Sequence, residues 1–403
     1  MSKVLFLNMF GHAHINPTIG LVKELINRGE KVTYFASEEF QEKIEKTGAT
    51  FRGHRNLSTV ITGNFNLENN EMPFEVIGLL KEIKEILEEI TDTVLNSEEK
   101  FDYIIYDSLF ILGNELGRVL KIPAIRSGPG FASNERINLF LSIFNKISPK
   151  FQELLNSSEC IDFIKDLQKK YGINFPTSIS TVFTETDMTI VYTSKYFQIC
   201  GESFDNRYKF IGPSISDRNE KMNFSLEKND KKKVIYISLG TVFDGSVKFY
   251  ESCFKAFADM DANIILSVGK KIDITIFRDI PSNFIVRNYV PQLEVLKQTD
   301  VFITHGGMNS TNEGLYYYIP LILIPQSVDQ PFVANRVAEL GAGIVIEKAK
   351  VTPEILRQSV VRIFSDNTFR INSKKIGKSL REAGGHKKGV DEILNLITNI
   401  RKN

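Results

Sequence analysis

Five histidines occur in 403 residues, and two of them, His12 and His14, stand one residue apart in "GHAHINPT" at 11–18. A neutral imidazole, with an ordinary pKa near ~6.5, can take a proton from a hydroxyl around neutral pH. An HxH pair can instead begin a zinc site, and a loop histidine can simply pack or cap its turn. A zinc site needs further ligands. His54, His305 and His386 complete the set, and none stands with a carboxylate or cysteine at a familiar ligand spacing. A general base works better with a carboxylate to orient it. Asp107, which closes the apolar run "FDYIIYD" at 101–107, is the candidate, although aspartate also ends strands simply by starting turns. Ser238 in "YISLGT" lacks the flanking glycines of a nucleophile elbow, so the pair would be a His–Asp dyad without a side-chain nucleophile.

A second group of residues is denser. "DVFITHGGMNSTNEG" at 300–314 is preceded by "YVPQLEVL" at 289–296 and followed by "IPQSVDQ" at 324–330. "THGGMNST" has the pattern of a strand, a Gly-rich turn and a helix start. Gly306 and Gly307 let the backbone come close to a ligand, while Asn309 and Ser310 can cap the helix and contact an anion. The N–H groups of a helix start, at the positive end of its dipole, suit a phosphate. His305 adds a donor, and Glu313 falls within the first turns of the helix, where it can accept from ribose hydroxyls. The same turn taken alone is also an ordinary strand-to-helix connection. Neither GxGxxG nor GxxxxGK[ST] occurs, which excludes the usual dinucleotide fingerprint and the P-loop.

The elements that must carry these residues alternate. A strand from 3 to about 8 leads through a loop to a helix starting at Pro17, with Asn16 as N-cap and Gly29 as its stop, and then to a strand from Lys31. That is a βαβ unit. Further strands are predicted at 101–107, 122–126 and 187–194, with helix-period segments at roughly 74–100 and 137–171. The polar, charged stretch 213–233 reads as a linker. Beyond it "KVIYISLGTV", "ANIILSVG", "NFIVRNYV", "DVFITHGG" and "IPLILIPQ" predict a second array of strands, and "VDEILNLITNIRK" a closing amphipathic helix. Two βα arrays predict two doubly wound α/β domains, in which ligands bind at the carboxyl ends of the strands. Both residue groups fall there.

Composition narrows the partners. Fifty Lys and Arg against 49 Asp and Glu give a net charge of +1, which provides no polyelectrolyte footprint for nucleic acid or an anionic membrane. Cys160, Cys200 and Cys253 are widely separated, without a CxxC pair, as in a reducing cytoplasm. The apolar stretch before Gly11 is too short for a signal h-region or a spanning helix. A soluble cytoplasmic protein is the expectation.

Together "YVPQ", "HGGMNSTNEG" and "IPQSVDQ" resemble the donor-binding signature of the family 1 UDP-dependent glycosyltransferases, and "GHAHINPT" resembles their acceptor-side motif. The resemblance runs over nearly the whole chain, through "YISLGT", "SVGK" and "REAGG", and points to bacterial macrolide- and flavonoid-modifying members. It implies the GT-B fold, two Rossmann-like doubly wound parallel-sheet domains facing a cleft. Residues 1–212 would bind the acceptor, 213–233 link, 234–385 bind the nucleotide-sugar donor, and 386–403 form a helix crossing back to the N-terminal domain.

Residue by residue, the resemblance implies His14 as catalytic base with Asp107 as its partner, and leaves His12 outside the base position. His305, Asn309 and Ser310, with Gly307 in their turn, match diphosphate contacts, and Gly240 and Thr241 close over the phosphates. Glu313 matches the ribose ligand, Val290 and Gln292 the uracil and ribose neighbourhood, and Asp329 with Gln330 the pair that holds sugar hydroxyls. Many members stack a tryptophan on uracil, whereas this chain has Tyr289 and no tryptophan. The implied reaction is inverting transfer of a hexose, with glucose favoured, from a UDP-sugar to a hydroxyl of a flavonoid, phenol or macrolide-like acceptor. No metal or other cofactor is implied, and no nucleic acid, membrane or second subunit. Phe10, Phe110 and Phe131 lie beside acceptor-side loops and suit either an aglycone pocket or the core. The rival expectations are a GT-B epimerase or lipid-acceptor transferase, a non-catalytic sugar-nucleotide binder and a zinc hydrolase on "HAH".

Overall fold

Parallel strands inside α/β sheets are covered on both faces, so they are built from near-continuous apolar runs. β1 (Lys3–Leu7) buries four of its five residues, and β4 (Tyr103–Asp107) buries all five. The computed structural model describes residues 1–9, 11–55, 74–134, 137, 157–173, 186–216, 232–240, 247–326 and 329–402. Between β1 and β4 come α1 (His12–Asn27), β2 (Lys31–Ser37), α2 (Gln41–Glu45), β3 (Thr50–His54) and α3 (Phe74–Leu95). After β4 follow α4 (Gly113–Leu120), β5 (Ala124–Gly128), α5 (Ser158–Tyr171), β6 (Met188–Val191) and β7 (Tyr208–Phe210). The second array is β8 (Lys233–Ser238), α6 (Val247–Phe257), β9 (Ala262–Ser267), β10 (Phe284–Arg287), α7 (Gln292–Leu296), β11 (Val301–Thr304), α8 (Met308–Tyr316), β12 (Leu321–Leu323), α9 (Gln330–Glu339) and β13 (Gly343–Val345). It closes with α10 (Pro353–Ser365), α11 (Thr368–Glu382) and α12 (Gly385–Lys402).

The chain falls into two units, Met1–Ser216 with Ala383–Asn403, and Asp217–Glu382. In the first, an all-parallel sheet has the order β3-β2-β1-β4-β5-β6-β7. In the second, the parallel order is β10-β9-β8-β11-β12-β13. Each order reverses direction once, between β1 and β4 in the first sheet and between β8 and β11 in the second. Such a switch point splays the two following loops apart and leaves a crevice at the carboxyl ends of the strands.

Most of the predicted linker, 217–231, and part of the segment predicted as helical, 138–156, lie outside the described residues. α12 belongs to the first unit, where Val390, Ile393 and Ile397 join the core formed by Ile15, Leu21, Val22 and Leu25 of α1. Gly389 lets the two helices approach: a Cβ there would lie 2.9 Å from Leu21 Cδ1 and from Ile211 Cδ1. Three buried aliphatic side chains at about 1.5–3 kcal/mol each make this a substantial attachment. Arg28 adds hydrogen bonds to Glu24 and Asp391 at the rim. Among the described residues no helix is long and apolar enough to cross a membrane.

Candidate active site

Asp107 is the last residue of β4, beside the end of β1, where Leu7 pairs with Tyr106. Its side chain is fully buried, a position a carboxylate holds only when its oxygens are paired. Both are: Oδ1 accepts from the Leu109 amide at 2.9 Å, and Oδ2 lies 2.7 Å from His14 Nδ1. The carboxylate can only accept, so Nδ1 carries the ring proton and the basic lone pair is on Nε2. The His14 side chain keeps 20% of its surface exposed, which leaves it open to a substrate proton while Asp107 is sealed behind it.

His14 reaches this position from a helix and not from the predicted loop. α1 begins at His12 with Gly11 as its N-cap, and the amides of His14 and Ile15 both bond to the Gly11 carbonyl. The predicted cap, Asn16, lies inside the helix, where its side-chain oxygen accepts from Lys43. Pro17, predicted at the first helical position, is also interior; that near the N-terminus its ring removes only the bond back to Ala13. The two histidines therefore point apart, since residues two apart on a helix differ by about 200°. His12 sets its ring edge-on against Phe40 at 4.8 Å, away from Asp107. Among the described residues, no three His, Cys, Asp or Glu side chains gather in a metal-binding group. Phe110 is wholly in the core and cannot line a pocket, Phe131 packs against Phe197, and Phe10 lies outside the described residues.

The second unit repeats the construction at its own switch point. Ser238 and Thr304, the last residues of β8 and β11, are register partners, and Gly240 and His305 follow them. Gly240 has φ of +87°, and a Cβ on it would lie 2.7 Å from His305 Cε1. On the other side a Cβ on Gly307 would lie 2.4 Å from His305 Nε2. Only backbone fits on either side of the ring. Its edge keeps some exposure, yet the enclosure is enough that burial pushes the pKa down to about 4, so His305 is a neutral hydrogen-bonding group at pH 7. Thr241 and residues 242–246 lie outside the described residues.

Gly307 is itself the N-cap of α8, and with no side chain it makes no cap hydrogen bond. The capping role predicted for Asn309 and Ser310 is thus not what they do: they stand part-exposed in the first turn, beyond the cap position. Glu313 is buried, and Gln292 Nε2 donates to its Oε2 at 2.7 Å, while Tyr236 donates its hydroxyl to Gln292 Oε1 at 3.1 Å. The two predicted ribose neighbours are thereby joined. Tyr236, set rigidly on Phe302 by ring stacking at 4.7 Å, is a member that sequence reading missed; its signal was a phenol in the middle of an apolar strand. Val290 is buried in the core, and Tyr289 beside it is part-exposed. Asp329 is the N-cap residue of α9, and the amide oxygen of buried Gln330 accepts from the Gln326 backbone at 2.8 Å.

Comparison with known proteins identifies the family. Residues 251–383 match the family model described as the erythromycin biosynthesis protein CIII-like C-terminal domain. Over 98% of both chains the protein is 36% identical to an uncharacterized UDP-glucosyltransferase, YojK, of Bacillus subtilis (strain 168). It is 34% identical to the NDP-glycosyltransferase YjiC of the same organism, over 97% of this chain and 96% of that one. Among solved structures, the calicheamicin glycosyltransferase CalG4 superimposes with a TM-score of 0.84 at 25% identity, covering 98% of each chain. With such identity to two relatives along almost their whole length, the chain belongs to the bacterial family 1 glycosyltransferases of the macrolide type and has their GT-B fold.

Proposed function

We propose that the protein transfers a hexose, with glucose the favoured sugar, from a UDP-sugar to a hydroxyl of a hydrophobic small molecule, a phenol, flavonoid or macrolide, with inversion at the anomeric carbon. The observation that carries this reading is the 2.7 Å contact between His14 and a fully buried Asp107. His14 Nε2 takes the acceptor proton as the acceptor oxygen attacks the anomeric carbon, and the bond to the diphosphate oxygen breaks. Asp107 steadies the imidazolium that forms.

The first unit would serve the acceptor and the second the donor. The departing diphosphate gains negative charge, which the amides at the start of α8 and the neutral His305 N–H can meet, together with Asn309 and Ser310. That reading assigns no metal to the reaction. Glu313, oriented by Gln292, suits the ribose hydroxyls, Tyr289 offers a ring to the uracil, and Asp329 with Gln330 suits the sugar. Incubation with UDP-glucose and a mixed panel of phenols, flavonoids and macrolides, followed by mass spectrometry, is expected to show products heavier by one hexose. UDP-glucose binding without any such product would support a non-catalytic binder instead.

A further inference from the structure

The N-cap of α1, Gly11, brings no side chain to the first turn, and Pro17 removes a main-chain hydrogen bond just behind it. His14 sits in that turn, and a base has to be placed to a fraction of an ångström. Beneath it runs a line of hydrogen bonds between fully buried groups. Thr18 Oγ1 donates to the Ile15 carbonyl at 2.8 Å and meets the Tyr34 hydroxyl at 2.8 Å, and Asn8 Nδ2 donates to that hydroxyl at 3.4 Å. Thr18, Tyr34 and Asn8 are all 0% exposed, so water cannot substitute for any of these bonds.

Proton counting fixes the direction. The single hydroxyl proton of Thr18 is engaged by Ile15, so Tyr34 must donate to Thr18 and receive from Asn8. Burial raises the Tyr34 pKa, which keeps on its oxygen the proton that Thr18 requires. The Tyr34 ring is clamped flat on Phe6 of β1, with ring centroids 4.4 Å apart and planes 6° from parallel. The line therefore runs from the loop after β1, through β2, to the carbonyl of the residue that follows His14.

We propose that Tyr34 and Thr18 are positioning residues for the transfer reaction: their hydroxyl relay locks the first turns of α1 against β2 and so holds the His14 ring on Asp107. The inference rests on the reading of His14 as the base.

Thr18→Val keeps the side-chain shape and removes both hydroxyl bonds, Tyr34→Phe removes only the phenol oxygen, and Thr18→Ser keeps the relay. With UDP-glucose as donor and quercetin as acceptor, Thr18→Val and Tyr34→Phe are expected to lower kcat on the order of 10–100-fold, the scale of a small misplacement of a catalytic group. The KM for UDP-glucose stays within about twofold, and Thr18→Ser retains wild-type kcat. In a His14→Ala background the same substitutions change the residual rate by less than about twofold, because the ring they position is gone. Equal losses in both backgrounds would overturn the proposal. A second readout is independent of substrate: the low-field Nδ1–H proton signal assigned as the one missing from His14→Ala. It is expected in the wild type and Thr18→Ser and lost from Thr18→Val; its unchanged persistence in Thr18→Val overturns the proposal even if nothing is transferred to quercetin. Near wild-type activity of His14→Ala would instead sink the base reading alone, since the signal still reports whether the relay holds the ring.

Discussion

His305 packs so closely on Gly307 that a Cβ on the glycine would lie 2.4 Å from the ring's Nε2. Gly307→Ala must therefore push the imidazole out of its slot between two backbone segments. A fall in kcat/KM on the order of tenfold or more is expected, with the larger part in the KM for UDP-glucose. Calorimetric titration with UDP checks the binding part directly; unchanged affinity would mean that His305 does not touch the diphosphate.

Removal of the base has a different signature. His14→Ala is expected to lower kcat by about 10²–10⁴-fold while UDP binding stays as it was, because the ligands proposed for UDP are on the other unit. Asp107→Asn keeps the shape of the buried residue and its contact to Leu109, yet favours the wrong tautomer of His14, so it too should act on kcat. Steady-state rates with circular dichroism as the folding control decide it.

Acid should weaken the fold through His305. Unfolded, this ring titrates near ~6.5, whereas burial in the folded chain holds it at about 4. Between those values the unfolded chain binds more protons, so the stability contribution is full above about pH 6.5 and is lost as pH falls toward 4. His386, also lowered by burial, acts in the same direction. Urea unfolding at pH 7 and pH 5 should show a smaller difference for His305→Gln than for the wild type.

The Gln292–Glu313 contact is a hydrogen bond to a charged group in a buried setting, a class that contributes about 1.5–3 kcal/mol. Gln292→Ala leaves the Glu313 carboxylate without that partner and misorients it. A rise in the Kd for UDP of roughly tenfold is expected, with smaller effects on a nucleotide lacking ribose hydroxyls. Parallel titrations with UDP and its 2′,3′-dideoxy analogue test this.

Attachment of the last helix can be tested by Ile393→Ala. The side chain is fully buried in the core shared by α12 and α1, so its truncation should cost about 2–4 kcal/mol in urea unfolding of the whole chain.

The central strands were legible because they are buried on both faces and leave an unbroken apolar signal, as "YIIYD" does. β3, β7 and β13 escaped sequence reading, and all three are edge strands. β3 exposes three of its five residues, while β7 and β13 are only three residues long, too little for a periodic pattern. The start of α1 was misplaced because Asn16–Pro17 is a strong local cap signal, and main-chain bonding to Gly11 overrode it. The pairing of His14 with Asp107 could be read from two residues placed at the carboxyl ends of apolar strands and from the family resemblance, but not the strand order that brings them together. His14 and Asp107 are 93 residues apart and touch only because β1 and β4 are sheet neighbours, a fact of strand order that local sequence does not carry. Likewise the relay through Thr18 and Tyr34 depends on the register of α1 over β2.

The docking of α12 on α1 also bears on how the chain is made. Ribosomal synthesis delivers the first unit's sheet and α1 early, and then the whole second unit, before the helix that covers the apolar face of α1 emerges. Throughout that interval Leu21, Val22 and Leu25 lack their final cover, while a complete α/β fold of similar design is forming downstream on the same chain. Nascent chains stopped before residue 385 should accordingly be more prone to aggregate and to be cleaved in the first unit than chains that have gained α12.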